Sequence, residues 1–102
     1  MPWRSTGLAD DPAATSIRAV HVAGRPVAIV RWAGGWHAVE DRCSHAGCAF
    51  SEDGTVEDGR LVCDCHGSEF DLVSGRAVVG PATDPVAILA IRSIDGRIEV
   101  EA

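Results

Sequence analysis

All four cysteines of this 102-residue chain lie in two short stretches, and each stretch also contains a histidine. The first stretch is Cys43–Cys48 (CSHAGC) and the second is Cys63–Ser68 (CDCHGS). Both contain a glycine, Gly47 or Gly67, which permits backbone conformations that let the chain approach a bulky inorganic centre. The residues between the stretches suffice for a hairpin that brings the two loops together. The fold must therefore be one that positions two cysteine–histidine loops side by side.

Each stretch offers one thiolate and one imidazole at close spacing, as Cys43-x-His45 and Cys63-x-x-His66. This mixed set suits a [2Fe-2S] cluster with two thiolates on one iron and two imidazoles on the other. A tetrahedral zinc site is an alternative, but zinc motifs usually pair a cysteine knuckle with a histidine pair. Two disulfides are another alternative, and they leave the matching cysteine–histidine spacing unexplained. The pattern therefore favours iron–sulfur ligation.

The charge of such a cluster explains what histidine ligands contribute. Two ferric ions, two sulfides, two thiolates and two neutral imidazoles sum to about zero, whereas four thiolates give about −2. An electron enters a neutral cluster more easily than an anionic one. We therefore expect a reduction potential in the range of roughly −150 to +300 mV.

Composition excludes several classes of partner. The chain has a net charge of −6, with nine basic and 15 acidic residues, and such a surface repels nucleic acid and anionic membranes. No stretch approaches the ~20 apolar residues of a membrane span, and Met1–Thr15 lacks the basic start and apolar run of a signal peptide. We therefore expect a soluble, cytoplasmic protein, in which four cysteines more often bind metal than form disulfides.

Short β-strands separated by turns dominate the rest of the chain, and helical periodicity is absent. Strands are predicted at Ile17–Ala23, Pro26–Trp32, Trp36–Val39, Val86–Ile94 and Arg97–Glu101, with a hairpin turn at Asp95-Gly96. They predict a single domain over residues 1–102, whose base is a small antiparallel barrel or sandwich formed by about 1–40 and 86–102. A cluster-binding subdomain, about 41–85, is inserted between the base strands. The first dozen or so residues are expected to be disordered.

The sequence resembles the Rieske family from about Arg18 to Val100. The family signature is Cys-x-His, a spacer of about this length and Cys-x-x-His-Gly, and all of it is present here. The likeness to soluble Rieske ferredoxins extends to Asp41-Arg42, Gly54–Gly59, Phe70-Asp71, Gly75 and Gly80-Pro81-Ala82. The resemblance implies an all-β Rieske fold. It also implies that Cys43 and Cys63 bind one iron, while His45 and His66 bind the other at an exposed tip.

The resemblance also assigns roles to residues around the ligands. Cys48 and Cys65 occupy the places at which Rieske proteins of cytochrome bc complexes form a disulfide between the loops, although many oxygenase ferredoxins lack that pair. Free buried cysteines are the alternative. Ser68 matches a hydroxyl that bonds a bridging sulfide, and Pro81 matches the proline loop that covers the cluster. Phe70 stands where the bc-type proteins have a tyrosine, so one hydroxyl bond to the cluster is expected to be missing.

The resemblance implies an electron carrier that performs no bond chemistry. The chain is too short for an oxygenase subunit with its own mononuclear iron. We therefore expect a monomeric ferredoxin that carries single electrons from a flavin reductase to a terminal ring-hydroxylating dioxygenase. Docking is expected to be transient, at the cluster tip, within an acidic rim that includes Glu52, Asp53, Asp64 and Glu69. A small subunit of a reductase, such as nitrite reductase, and a redox sensor are the alternatives.

Overall fold

The computed structural model describes residues 2–11, 17–44 and 47–102. These residues form antiparallel sheets with one short helix, which confirms the expected all-β class. The elements are β1 (Trp3–Ala9), β2 (Arg18–Val22), β3 (Arg25–Trp32), β4 (Gly35–Glu40), α1 (Phe50–Asp53), β5 (Gly54–Glu57), β6 (Arg60–Cys63), β7 (Ser68–Asp71), β8 (Ala77–Val79), β9 (Ile88–Leu89), β10 (Ile91–Ile94) and β11 (Arg97–Glu101). Among the residues described, no helix has the length and apolar character needed to cross a bilayer.

The strands form three sheets. One has the order β1-β11-β10, the second β2-β3-β4-β9 and the third β5-β6-β7-β8. In the first two sheets, strands that are far apart in the sequence are neighbours. In the first sheet β1 pairs with β11, and in the second β4 pairs with β9. The third sheet is built from one continuous segment, residues 54–79, that lies between β4 and β9 in the sequence.

Strand β3 separates two hydrophobic cores. Its residues 27–30 are all fully buried, and since successive side chains of a strand point to opposite faces, they alternate between the cores. Val27 and Ile29 pack with Ile98 and Val100 from β11. Ala28 and Val30 belong to the other core, whose further members come mostly from the third sheet and the loops around it. The second sheet is thus a shared layer that fixes the third sheet to the rest of the chain.

The third sheet positions the second cysteine stretch. The turn at Asp58-Gly59, where both residues have positive φ, joins β5 to β6. The register then pairs Cys63 with Gly54 on one side and with Ser68 on the other. Residues 64–67 therefore form the connection between β6 and β7, at the end of these strands that lies next to α1.

Two expectations from the sequence are wrong. Residues 3–9, predicted to be disordered, form β1, which pairs with β11 and stacks Trp3 beneath the Arg92 guanidinium at 4.3 Å. The predicted single strand Val86–Ile94 is two strands, β9 and β10, that belong to different sheets. The chain changes partner at Ala90, whose carbonyl accepts a hydrogen bond from the Glu101 amide at 3.0 Å. An alternating pattern predicts a strand but not which neighbour it pairs with.

Gly75 provides a test of how the β7–β8 turn is held. It has φ of +79°, and a Cβ atom there would lie 2.3 Å from the Val86 carbonyl oxygen. Gly24 has φ of +78° with open space around it. Replacing either by Ala costs about 1–2 kcal/mol for the backbone conformation, and Gly75→Ala adds ~1–3 kcal/mol because backbone must move. Urea denaturation of both variants measures the difference, and equal losses of stability would contradict the close approach.

Candidate metal centre

The first cysteine stretch follows β4 and is closed by backbone hydrogen bonds. The Gly47 amide donates to the Cys43 carbonyl at 2.9 Å, and the Cys43 amide donates to the Cys48 carbonyl at 2.8 Å. Gly47 has φ of +74°, a conformation that glycine adopts without strain. Cys43 is buried at 2% exposure. His45, a predicted ligand, and Ala46 lie outside the described residues.

A buried carboxylate holds the base of this loop. The Asp41 amide donates to the Pro26 carbonyl at 3.0 Å, which fixes the residue to β3. Its side-chain Oδ1 accepts the Ser51 amide at 2.9 Å, and the Ser51 hydroxyl also donates to this carboxylate. Asp41 thereby joins the start of the loop to the first turn of α1.

The second stretch has the same closing turn as the first. The Gly67 amide donates to the Cys63 carbonyl at 2.9 Å, as Gly47 does to Cys43, and Gly67 has φ of +81°. Cys63 is buried at 1% exposure, whereas His66 is exposed. The Asp64 amide donates to the Asp53 carbonyl at 2.7 Å, which ties this loop to α1. Each loop therefore buries its first cysteine, and the second loop presents its histidine to solvent.

The Cys43 and Cys63 thiols are free and interact with each other in the core. Burial raises the pKa of the Cys63 thiol, and the adjoining Cys43 side chain raises it further. Backbone N–H groups of Cys65 and His66 point at the Cys63 sulfur and act in the opposite direction, lowering its pKa. Two thiolates would repel each other strongly in such a place unless a cation lay between them, and metal binding deprotonates coordinating thiols.

The remaining two cysteines join the loops. Cys48 and Cys65 form a disulfide with an S–S distance of 2.04 Å, which is the pairing that the family resemblance implies. The sulfurs of Cys48, Cys63 and Cys65 all lie within 4.8 Å of one another. The disulfide is therefore a covalent tie between the two loops, next to the free Cys63 sulfur.

The segment 80–85 is a third part of this region. Ser68, the residue that begins β7, is fully buried, and its Oγ accepts the Ala82 amide at 3.0 Å. Pro81 is exposed and follows a cis peptide bond. In the first loop, the Ser44 hydroxyl donates to the Asp84 carbonyl at 2.6 Å. This role of Ser44 is not predictable from the sequence, because a serine between two predicted ligands carries no signal of a partner 40 residues away.

An aromatic pair lies beneath the two loops. Phe50 of α1 and Phe70 of β7 are fully buried and meet edge to face, with ring centroids 5.7 Å apart.

The other two histidines belong to the second sheet. His21 is exposed on β2, and His37 is half-buried on β4, where burial lowers its pKa. The structure thus brings together Cys43, Cys48, Cys63, Cys65 and Ser68, and leaves His21 and His37 on strands.

Comparison with known proteins identifies the family. The sequence model of the Rieske [2Fe-2S] domain matches residues 3–90, and the chain belongs to this family. The chain is 39% identical over 92 residues to the anthranilate 1,2-dioxygenase ferredoxin subunit of Burkholderia cepacia, covering 89% of this chain and 79% of that protein. It is 32% identical over 75 residues to the 3-phenylpropionate/cinnamic acid dioxygenase ferredoxin subunit of Escherichia coli K12, covering 74% and 71%.

Solved structures agree with this assignment. A chain in the complex of reduced oxygenase and oxidized ferredoxin of carbazole 1,9a-dioxygenase superposes with a TM-score of 0.84 at 29% identity, covering 96% of this chain and 91% of that one. The ferredoxin of carbazole 1,9a-dioxygenase from Nocardioides aromaticivorans IC177 superposes with a TM-score of 0.87 and coverage of 98% and 97%. At 22% identity, the second comparison shows the shared fold alone.

The cofactor of this family, a [2Fe-2S] cluster, fits the residues present. Cys43 and Cys63 supply two buried sulfurs that interact, and amides of Cys65 and His66 already point at one of them. Hydrogen bonds of this kind to ligand sulfur stabilise its negative charge. The exposed His66 offers an imidazole beside the buried thiols. The donor chemistry of the described residues therefore matches a cluster that takes both sulfur and nitrogen ligands.

The disulfide makes a direct prediction about thiol content and stability. Denatured, unreduced protein, freed of iron without oxidant, should show two reactive thiols of its four cysteines. The bond spans a sequence separation of 17, so its loss should cost at most ~3 kcal/mol of chain-entropy stabilisation. The double variant Cys48→Ser/Cys65→Ser should also lose its cluster faster on warming. Four reactive thiols in the unmodified protein would show that the disulfide is absent.

Proposed function

We propose that this chain is the ferredoxin component of a ring-hydroxylating dioxygenase system, and that it carries single electrons from a flavin reductase to the terminal oxygenase. The observation that carries the proposal is the pair of buried, interacting Cys43 and Cys63 thiols beside the exposed His66. The identity of 39% to a dioxygenase ferredoxin subunit supports it. The chain makes and breaks no substrate bond. We propose that it works in the cytoplasm as a monomer.

The proposed ligands divide by type between the two irons. Cys43 and Cys63 bind one iron as thiolates, and His45 and His66 bind the other as neutral imidazoles. When bound, the cluster takes up and releases one electron at a time. The buried cysteines hold the inner side of the site, and His66 is at the surface. Electrons would therefore enter and leave on the histidine side, since transfer is fastest where the separation from the partner is shortest.

The surrounding residues hold the ligands in place. Gly47 and Gly67 allow the matching turns that return each loop to its cysteine. The Ser68 Oγ already accepts a hydrogen bond from the Ala82 amide, so its own hydroxyl hydrogen is available to donate toward a cluster sulfide. Pro81 stands in the segment that would cover the cluster. We propose a base formed by about 1–40 and 86–102, and a cluster-binding subdomain over about 41–85, which contains the whole third sheet.

Acidic residues near the proposed tip give it a docking surface for basic partners. Asp64 lies between Cys63 and Cys65, and Glu52 and Asp53 lie in α1 next to the second loop; all three are exposed. Glu69 of β7 is half-buried and pairs with Arg60 at 3.3 Å. Both partners would use this one surface in turn, so each complex must be weak and small in area, as in other transient redox encounters.

The ligand assignment is tested by metal and sulfide analysis of the unmodified protein and by spectroscopy of single histidine variants. The purified protein should contain about two irons and two acid-labile sulfides per chain. His45→Ala and His66→Ala should each abolish the Rieske-type electron paramagnetic resonance of the reduced protein, because an imidazole is lost from the iron. His21→Ala is the matched control and should change nothing, since His21 lies exposed on β2. Stoichiometric zinc without sulfide would overturn the assignment.

The docking surface is tested by the rate of reduction by the cognate reductase. The second-order rate should fall severalfold as ionic strength rises from about 0.01 to 0.15 M, where the screening length shrinks from about 30 to 8 Å. The Asp64→Asn/Glu69→Gln variant should flatten this dependence, because rim charges act mainly on association. Asp95→Asn, in the exposed β10–β11 turn, is the control and should keep the wild-type slope. Identical slopes in all three proteins would exclude an electrostatic role for the rim.

A further inference from the structure

Residues 80–85 belong to no strand or helix among the described residues, so contacts from outside must hold them in place. The Ala82 side chain is buried in the same core as Cys43 and Cys63. Pro81, Thr83, Asp84 and Pro85 are exposed. The segment thus forms an outer layer of the proposed cluster site, fixed at its middle by one small apolar side chain.

Two serine hydroxyls tie this segment down, one from each cysteine loop. Ser68, at the end of the second loop, accepts the Ala82 amide at 3.0 Å. Ser44, next to Cys43 in the first loop, donates to the Asp84 carbonyl at 2.6 Å. The hydrogen bond of Ser68 is buried, whereas the hydrogen bond of Ser44 is exposed and lies where the segment meets solvent.

We propose that Ser44 is a positioning residue that holds segment 80–85 closed over the first cysteine loop. This inference rests on the proposed cluster site. The Ser44 hydroxyl acts through the Asp84 carbonyl, to which it donates its hydrogen bond. With the bond in place, both loops hold the same segment, which would limit the access of water to the site formed by Cys43 and Cys63. Without it, the Ser68 bond and the buried Ala82 side chain still hold the middle of the segment, but its Asp84 end opens more often.

The expected increase in opening of segment 80–85 follows from the free energy that one such hydrogen bond ordinarily contributes. Losing one solvent-exposed side-chain hydrogen bond to backbone, at about 0.5–1 kcal/mol, changes the population of an opened state about two- to fivefold. Amide exchange in a locally opening segment tracks that population. Opening also exposes the cluster to solvent, which is one of the factors that set its potential. A reduced cluster carries more negative charge than an oxidised one, so added water should shift the potential upward.

The test compares three holoprotein variants by hydrogen–deuterium exchange with mass spectrometry of the peptide that covers residues 80–86. Ser44→Ala should speed its exchange about two- to fivefold, raise the reduction potential and hasten iron loss on warming. Ser44→Thr retains the hydroxyl and should restore all three values toward wild type. Ser5→Ala is the control, because Ser5 accepts a hydrogen bond in β1 in a different sheet.

Unchanged exchange of this peptide in Ser44→Ala would overturn the proposal. So would an equal acceleration across all peptides, since that reports global destabilisation, or failure of Ser44→Thr to restore the potential. These outcomes are separate from failure of the proposed function. A wild-type protein that lacks iron and sulfide would overturn the cluster assignment, whereas the exchange comparison could still be made on that protein and would test the hydrogen bond alone.

Discussion

The burial of two interacting cysteine thiols, Cys43 and Cys63, is the constraint on which the rest of the structure depends. As thiols they are poor ligands, and as thiolates they repel each other in a medium that screens charge weakly. A bound metal centre removes both problems, because it deprotonates the thiols and neutralises their charge. The fold must therefore hold these two sulfurs, which come from two separate loops, close together.

The sheets and loops meet this requirement at several levels. Cys43 follows β4, whose sheet is buried between two cores, and Cys63 ends β6, whose register is fixed on both sides. The Cys48–Cys65 disulfide joins the loops covalently, and backbone bonds from Asp64 and a carboxylate at Asp41 attach them to α1. Because the sheets, the disulfide and α1 hold the buried cysteines, the exposed side of the site is left for exchange of electrons with partners.

The sequence predicted those parts of the molecule that local chemistry determines. The turn at Asp95-Gly96, the apolar run in β3 and the paired cysteine–histidine spacing all follow from short-range rules. Strand β1 was missed because its apolar residues do not alternate and its stability comes from pairing with β11, at the other end of the chain. The break at Ala90 and the Ser44–Asp84 bond were missed for the same reason, since both depend on which distant segments become neighbours.

Nitrogen coordination of the cluster is the central claim, and pulsed electron paramagnetic resonance of the reduced protein tests it most directly. Protein grown with 15N-labelled histidine should show two strongly coupled nitrogens on the paramagnetic centre, one from His45 and one from His66. The same signal should persist in a His21→Ala background, where an exposed strand residue is lost. A reduced cluster with no directly coordinated nitrogen would contradict the ligand set, and with it the mode of electron transfer proposed for this chain.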